Sequence, residues 1–199
     1  MNLIPAEVLL EGYAKGIFPM ALSRKDPSYN WYIAEKRGVI PIDGFRVSRK
    51  VRRFIRQKPY RWSVNEDFRG GMECCADRES TWISDRIIES FVRLHEMGHA
   101  HSVEIYQEER LVGGVYGVVL RSAFFAESMF KYEPEMDKIA LFHCHQRLKE
   151  RNFRLWDTQF YTPHLGQFGC IEIEAAEYDK MLAKALRSSA RFDNENVQI

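Results

Sequence analysis

The spacing of apolar residues predicts two short helices near the start of the chain, separated by an irregular segment. Residues 5–15 carry apolar side chains at helical spacing behind Pro5, which suits a first helical turn. Ser48 is a candidate cap for a second helix, SRKVRRFIRQ, which Pro59 is expected to end. The intervening residues 17–41 are rich in Pro, Gly and aromatic side chains, which is typical of an ordered surface loop.

A change in the apolar period predicts that the centre of the chain forms a sheet. Ser84 is a candidate cap for the helix DRIIESFVRLHEM, after which the period falls from about 3.6 residues to about 2. Three antiparallel strands are predicted in succession: HSVEIY, LVGGVYGVVL and AFFAESMF. A helix from Pro134 to Lys149 is expected next. It is followed by a strand FRLWDTQF, a loop TPHLGQFG, a strand CIEIE and a helix AEYDKMLAKAL.

This order of elements predicts an α+β fold in which helices flank a mixed sheet. The stretch EERLVGGVYGVVL resembles the central hairpin of the GNAT-like (acyl-CoA N-acyltransferase-like) enzymes. The stretch SMFKYEPEMDK lacks the glycine-rich loop that holds pyrophosphate in those enzymes, so coenzyme A is not expected as a donor. We expect three parts: a small basic N-terminal subdomain over residues 1–59, a GNAT-like catalytic domain over residues 60–187 and a frayed polar tail over residues 188–199.

The composition is that of a cytoplasmic protein with a core of its own. The chain has 199 residues, of which 45% are hydrophobic, and this is enough for one ordinary domain. It has no run of about 18 apolar residues, and its N-terminus has acids where a signal peptide has cations. Its four cysteines show no C-x-x-C spacing, so we expect reduced, mostly buried thiols. No membrane association is expected.

Positive charge is concentrated in one segment, although the net charge of the chain is only +1. Residues 44–65 contain eight Lys or Arg and no acid. Phosphate backbones are the commonest partners of such a block, and a solvated helix face is the alternative.

Residues 95–99, within LHEMGHAHSVEI, match the H-E-x-x-H pattern of zinc proteases. In those enzymes both histidines lie on one continuous helix and a third ligand completes the site. Here Gly98 interrupts the motif, and the strand period begins two residues after His99. We therefore expect His99 to lie beyond the end of the helix, with the histidines capping carbonyls or packing, and we predict no metal site.

Six segments distributed along nearly the whole chain resemble one enzyme family. They are YAKGIFPM (13–20), STWISDRIIESFVRLHEMGHAHSVEIY (80–106), LVGGVYGV (111–118), FFAESMF (124–130), LWDTQF (155–160) and HLGQFGCIEI (164–173). Together they resemble the leucyl/phenylalanyl-tRNA–protein transferases. The resemblance implies transfer of Leu, Phe and less readily Met from aminoacyl-tRNA to the α-amino group of proteins that begin with Arg or Lys, which marks them for N-degron degradation. Because the aminoacyl ester is already activated, no metal or cofactor is implied.

The resemblance assigns acid–base chemistry to Asp157 and Gln159. Two residues apart on a strand, they face the same side of the sheet. The Gln159 carbonyl oxygen would accept a hydrogen bond from the attacking amine, and Asp157 would orient and polarise Gln159. Glu127 would face the cleft and hold a substrate ammonium. A polar pair that bridges strands or fixes a loop is the alternative interpretation of Asp157 and Gln159.

The resemblance also implies residues that bind the donor. An apolar pocket for the leucine or phenylalanine side chain is expected at Val115, Phe124, Met129, Cys144 and Leu148, where ordinary core packing is the alternative.

The terminal adenosine of tRNA would stack on Trp82. Met20 stands where the family has a second aromatic residue, and Trp31 or Tyr32 could substitute for it. Contacts to the acceptor-stem backbone, without reading of base sequence, are implied for four arginines: Arg49, Arg52, Arg53 and Arg56.

We expect a monomer. Two other functions stay open at the level of sequence: a related transferase with a different acceptor or donor, and a tRNA-binding module without catalytic activity.

Overall fold

The computed structural model describes residues 3–57 and 60–193, and its centre is a mixed sheet of seven strands. The strands are β1 Phe18–Met20, β2 Asn30–Tyr32, β3 Lys36–Val39, β4 Arg61–Val64, β5 Ala100–Gln107, β6 Arg110–Leu120, β7 Ala123–Lys131, β8 Leu155–Gln159 and β9 Ile171–Glu174. The helices are α1 Ala6–Ala14, α2 Arg49–Gln57, α3 Phe68–Ala76, α4 Asp85–Glu96, α5 Met136–Glu150, α6 Pro163–Gly166 and α7 Ala175–Leu186.

The large sheet has the strand order β4-β5-β6-β7-β8-β3-β9. Strands β5, β6 and β7 follow one another antiparallel, as their alternating patterns predict. β8 then pairs parallel to β7, with Phe125 opposite Asp157, after the chain returns through α5. The α+β class and the mixed sheet flanked by helices are therefore confirmed.

Two apolar cores cover the two faces of this sheet. Neighbouring residues of β7 point to opposite faces: Phe125 packs with α1, α3 and α4, whereas Phe124 packs with α5. Burying one side chain of this size contributes roughly 1.5–3 kcal/mol to stability. Cys74 is partly buried and the other three cysteines are buried, all with free thiols, as expected. Over residues 3–57 and 60–193, no helix has the length and apolar character needed to cross a membrane.

The predicted helix caps are confirmed at two serines. Ser48 Oγ accepts a hydrogen bond from the Val51 amide at 3.2 Å, and Ser84 Oγ accepts one from the Ile87 amide at 3.4 Å. Each interaction satisfies one of the amide groups that a helix leaves unpaired in its first turn. The predicted stop at Pro59 lies outside the described residues.

The prediction of a loop over residues 17–41 is wrong, because this segment contains β1, β2 and β3. β1 and β2 form a small antiparallel pair, and β3 lies between β8 and β9 in the large sheet. Strands of three or four residues carry no readable period, and the partners of β3 are distant in the sequence. Gly38 allows the close approach of β3, since a Cβ there would lie 2.4 Å from the carbonyl carbon of Phe160.

The boundaries of the expected parts also need correction. Because β3 belongs to the large sheet, residues 1–59 do not form a subdomain apart from that sheet. Strand β4 and helix α3 were not predicted; Asp67 caps α3 by accepting from the Gly70 amide at 2.9 Å. In the expected tail, Phe192 is only 1% exposed and stacks on Phe124 with ring centroids 5.2 Å apart. This aromatic contact anchors residues 188–193, so the expected fraying does not hold there. Residues 194–199 of the expected tail lie outside the described residues.

Candidate active site

Strands β7 and β8 bring Glu127 and Gln159 into contact. Gln159 Nε2 donates a hydrogen bond to Glu127 Oε1 over 3.1 Å. The hydroxyl of Tyr13, on α1, donates to the same oxygen over 2.7 Å. One carboxylate oxygen is thus the meeting point of a helix and two strands.

Asp157 lies behind this pair, fully buried and fully compensated. Arg37, itself only 1% exposed, donates from Nε to Oδ1 at 2.9 Å and from Nη2 to Oδ2 at 2.6 Å. The Tyr178 hydroxyl donates to Oδ2 at 2.6 Å. Burial alone would lower the pKa of Arg37, but the charge and hydrogen bonds of Asp157 raise it above its ordinary value. Several hydrogen bonds to both partners are what a buried ion pair requires.

Asp157 holds Gln159 through its backbone. The Gln159 amide donates to Asp157 Oδ1 over 2.8 Å, and Gln159 has a φ of 56°. This left-handed conformation costs a non-glycine residue roughly 1–2 kcal/mol. The predicted orienting role of Asp157 therefore has a geometric basis, whereas direct polarisation of the side-chain amide does not, because the amide nitrogen contacts Glu127.

Burial changes the acidity of Glu127. Its loss of solvent, together with the nearby charge of Asp157, raises the pKa of Glu127 to about 8, although the hydrogen bond from Tyr13 and the charge of Arg37 oppose the shift. Burial, together with the charge of Glu127 and the hydrogen bond to it, raises the pKa of the Tyr13 hydroxyl well above its ordinary value. A carboxyl group with a pKa near the working pH is suited to exchange a proton with a substrate.

Glu127 opens onto a cavity of about 520 Å³, a size typical of small-molecule sites. Its walls come from the end of α3 and the loop that follows, the end of β7, the start of α5 and the segment containing α6. Three residues predicted to bind substrate line it: Trp82, Glu127 and Met129.

The basic helix α2 lies close to the start of α5. Lys50 Nζ is 3.1 Å from Glu135 Oε1, which ties the first turn of α2 to the segment just before α5. Arg52 and Arg56 line a groove of about 470 Å³ against α5. All four arginines implied in tRNA binding are exposed: Arg49, Arg52, Arg53 and Arg56. Basic surface therefore lies near the element that also forms one wall of the cavity.

Sequence comparison with known proteins identifies a family. The model of the family described as leucyl/phenylalanyl-tRNA protein transferase matches residues 39–183. The chain belongs to this family. It is 50% identical to the leucyl/phenylalanyl-tRNA–protein transferase of Cereibacter sphaeroides, across 94% of this chain and 88% of that protein. It is 49% identical to the one of Ruegeria pomeroyi, across 95% and 90%. The resemblance seen in the sequence is thus confirmed, and the protein is an aminoacyltransferase.

Two solved structures align with this transferase at low sequence identity. L-PGS from Bacillus licheniformis aligns with a TM-score of 0.48 and 14% identity, covering 90% of this chain and 76% of that one. The PaiA N-acetyltransferase from Thermoplasma acidophilum, in complex with coenzyme A, aligns with a TM-score of 0.32 and 13% identity, covering 47% and 75%.

Four residues implied in the donor pocket of the transferase do not line the cavity. Val115, Phe124, Cys144 and Leu148 are buried together in the core between the sheet and α5, where Phe192 packs against Phe124. The structure brings them together as packed core, and their role in binding the donor stays a prediction.

The backbone of Trp82 is bonded to the residue that follows β1. The Trp82 carbonyl accepts a hydrogen bond from the Ala21 amide over 3.0 Å, and Met20 is the residue before Ala21. The two alternative partners, Trp31 and Tyr32, lie on β2 and do not line the described cavity. Trp31 instead contacts Tyr29 edge-on, with ring centroids 5.8 Å apart.

The histidines of the transferase's H-E-x-x-H motif lie as the sequence predicts. α4 ends at Glu96, and Gly98 follows with a φ of 79°. His95 stacks on Phe68, whereas His99 lies beyond the helix with Nδ1 3.3 Å from the Val119 carbonyl. Among the described side chains, no group of three or more His, Cys, Asp or Glu is placed to hold a metal ion.

Three partners of Asp157 and Glu127 were not predicted from the sequence: Tyr13, Arg37 and Tyr178. Tyr13 lies in the segment predicted as the first helix, and Arg37 lies in the segment predicted as a loop. Tyr178 follows β9, four residues into α7. No local signal identifies these residues, because each reaches β8 or β7 only through the pairing of distant segments.

Proposed function

We propose that this transferase moves Leu or Phe, and less readily Met, from aminoacyl-tRNA to the α-amino group of proteins that begin with Arg or Lys. The product would be marked for degradation by the N-degron route. The observation that carries the proposal is the Glu127–Gln159 contact at the wall of a cavity near exposed basic surface. We further propose that the enzyme acts in the cytoplasm as a monomer.

In the proposed reaction, the neutral α-amine attacks the ester carbonyl, a carbon–nitrogen bond forms and the bond to the ribose oxygen breaks. The amine loses a proton and the leaving oxygen gains one. The Gln159 amide nitrogen faces Glu127, which leaves the amide oxygen to accept a hydrogen bond from the amine. An N-terminal amine has a pKa of about 8, so a weak acceptor is sufficient near neutral pH. Asp157 acts by positioning Gln159.

Binding of the donor is assigned to three regions. The exposed arginines of α2 would contact phosphates, and Trp82 would stack on the terminal adenosine. The leucine or phenylalanine side chain of the donor would reach the apolar core next to Met129. Either the packed core residues would move apart to admit it, or the pocket would lie at the edge of that core.

The test is transfer of labelled Leu or Phe from charged tRNA to peptides that begin with Arg, Lys, Asp or Glu. We expect product with Arg and Lys peptides, and none when the Arg peptide is acetylated. Product with only the acidic peptides would indicate a relative with another acceptor. Binding of charged tRNA without any transfer at low salt would indicate a binding module.

A further inference from the structure

A second carboxylate lines the same cavity, and one of its oxygens has no partner. Asp137 lies in the first turn of α5 and is 5% exposed. Its Oδ1 atom is buried without a hydrogen-bond partner among the described residues. Burying a charged oxygen without a donor is costly, and native proteins rarely leave one so.

Lys131 and His164 lie near Asp137 but do not supply the missing donor. Lys131 Nζ lies 3.7 Å from Oδ2, and His164 Nε2 lies 3.4 Å from the same oxygen. Both approach Oδ2, and the Lys131 side chain is half exposed. A further cationic donor within the cavity would therefore compensate a charge that the folded chain leaves incompletely paired.

We propose that Asp137 binds the cationic side chain of the acceptor's first residue, while Glu127 and Gln159 bind its α-amine. This inference rests on the proposed function and assigns the acceptor preference to one residue. Both carboxylates line one cavity, so a single terminal residue can present its amine to one and its side chain to the other.

A helix N-terminus offers a competing reason for an acid at this position. A carboxylate in the first turn interacts favourably with the helix dipole. That role predicts a loss of stability on removal of the charge, with no effect on the choice of acceptor. The two explanations therefore separate in the KM for the peptide.

The decisive experiment compares Asp137→Asn with wild type on peptides that begin with Arg, Lys or Ala. We expect the KM for the Arg and Lys peptides to rise roughly tenfold or more, the usual cost of losing a hydrogen bond to a charged group. Transfer to the Ala peptide, which is not an expected acceptor, should stay as low as with wild type, and the KM for aminoacyl-tRNA should not change. Glu133→Gln is the matched control, since Glu133 pairs with Arg110 and does not line the cavity. An unchanged preference for Arg over Ala would overturn the inference.

Direct binding separates this inference from the proposed function. Arginine amide, which carries the α-amine and side chain of the acceptor, is titrated into the enzyme without tRNA and followed by NMR. We expect binding to wild type and at least tenfold weaker binding to Asp137→Asn, with similar melting temperatures. Binding that depends on Asp137 in an enzyme that transfers nothing would contradict only the proposed function. Equal binding to wild type and variant would contradict only the role of Asp137.

Discussion

Asp157 and Asp137 are both buried carboxylates, but they differ in how many donors reach their oxygens. Asp157 receives hydrogen bonds on both oxygens, from Arg37, from Tyr178 and from the Gln159 amide. Asp137 has Lys131 and His164 near one oxygen and, among the described residues, no hydrogen-bond partner on the other. Asp157 lies on β8 and does not line the cavity, whereas Asp137 does.

The difference separates a carboxylate that builds the site from one that is available to a ligand. All the donors around Asp157 belong to the chain, so its charge fixes β8, β3 and α7 relative to one another. No described residue supplies the missing donor at Asp137, so we infer that a ligand supplies it. Glu127 is intermediate, because it has two internal donors and also lines the cavity. Four experiments test this ordering.

The largest effect is expected when Asp157 loses its main partner. Arg37→Ala would leave a buried charge uncompensated, and the free energy of unfolding should fall by roughly 3–5 kcal/mol. Urea denaturation measures this, and transfer activity should be lost with it. Lys36→Ala is the control, because the neighbouring Lys36 forms an exposed pair with Glu174 worth about 1 kcal/mol at most. A loss of stability in Arg37→Ala as small as that in Lys36→Ala would contradict the conclusion that Arg37 compensates the buried charge of Asp157.

A loss of activity without a comparable loss of stability is expected at Gln159. Gln159→Ala removes the side-chain amide but keeps the backbone bond to Asp157, so kcat should fall roughly 100-fold or more. Single-turnover transfer from charged tRNA gives the rate, and thermal melting reports on the fold. Gln167→Ala, an exposed change in the following loop, should have no effect. A fully active Gln159→Ala enzyme would favour a structural role for the pair.

The intermediate position of Glu127 predicts a pH-dependent stability. Its pKa is raised to about 8 in the folded state from an ordinary 4.5, so the native protein binds this proton more tightly than the unfolded chain. The contribution to stability is complete below about pH 4.5 and is lost as the pH rises toward 8.

Urea denaturation at pH 5, 6.5 and 8 measures that contribution. We expect the free energy of unfolding of Glu127→Gln to fall less over this range than that of wild type. Glu172→Gln, at an exposed position on β9, should follow wild type. Parallel curves for Glu127→Gln and wild type would mean that Glu127 is ionised throughout the range.

The smallest effects are expected at the exposed arginines, where no charge is buried. Arg52→Ala and Arg56→Ala should each weaken binding of charged tRNA a few-fold. A plot of the logarithm of the binding constant against the logarithm of the salt concentration should become shallower by roughly 0.7–0.9 for each lost phosphate contact. Filter binding at several salt concentrations measures both. Arg93→Ala, at the far helix α4, is the control. An unchanged salt dependence would place the tRNA elsewhere.

Local patterns were sufficient for the longer elements and their caps. Ser48 and Ser84 precede clear helical periods, and β5 to β7 alternate over eight or more residues. Asp157, Gln159 and Glu127 were found through resemblance, and the structure brings them together. Trp82 and Met129 also line the cavity that contains Glu127.

The remaining features depend on contacts between distant segments. Arg37 lies on a four-residue strand whose partners follow more than a hundred residues later. Phe192 lies in a polar segment, and a single aromatic side chain is no periodic signal. The unpaired oxygen of Asp137 cannot be read from a sequence at all, since an acid in the first turn of a helix is ordinary.

The insertion of β3 has a consequence for synthesis on the ribosome. Residues 36–39 emerge early, yet they pair only with residues 155–159 and 171–174. Such non-local pairing slows folding, because a long loop must close before its contacts form. Arg37 therefore cannot reach Asp157 until most of the chain has left the ribosomal tunnel, and an incomplete nascent chain has no organised centre with which to modify other proteins.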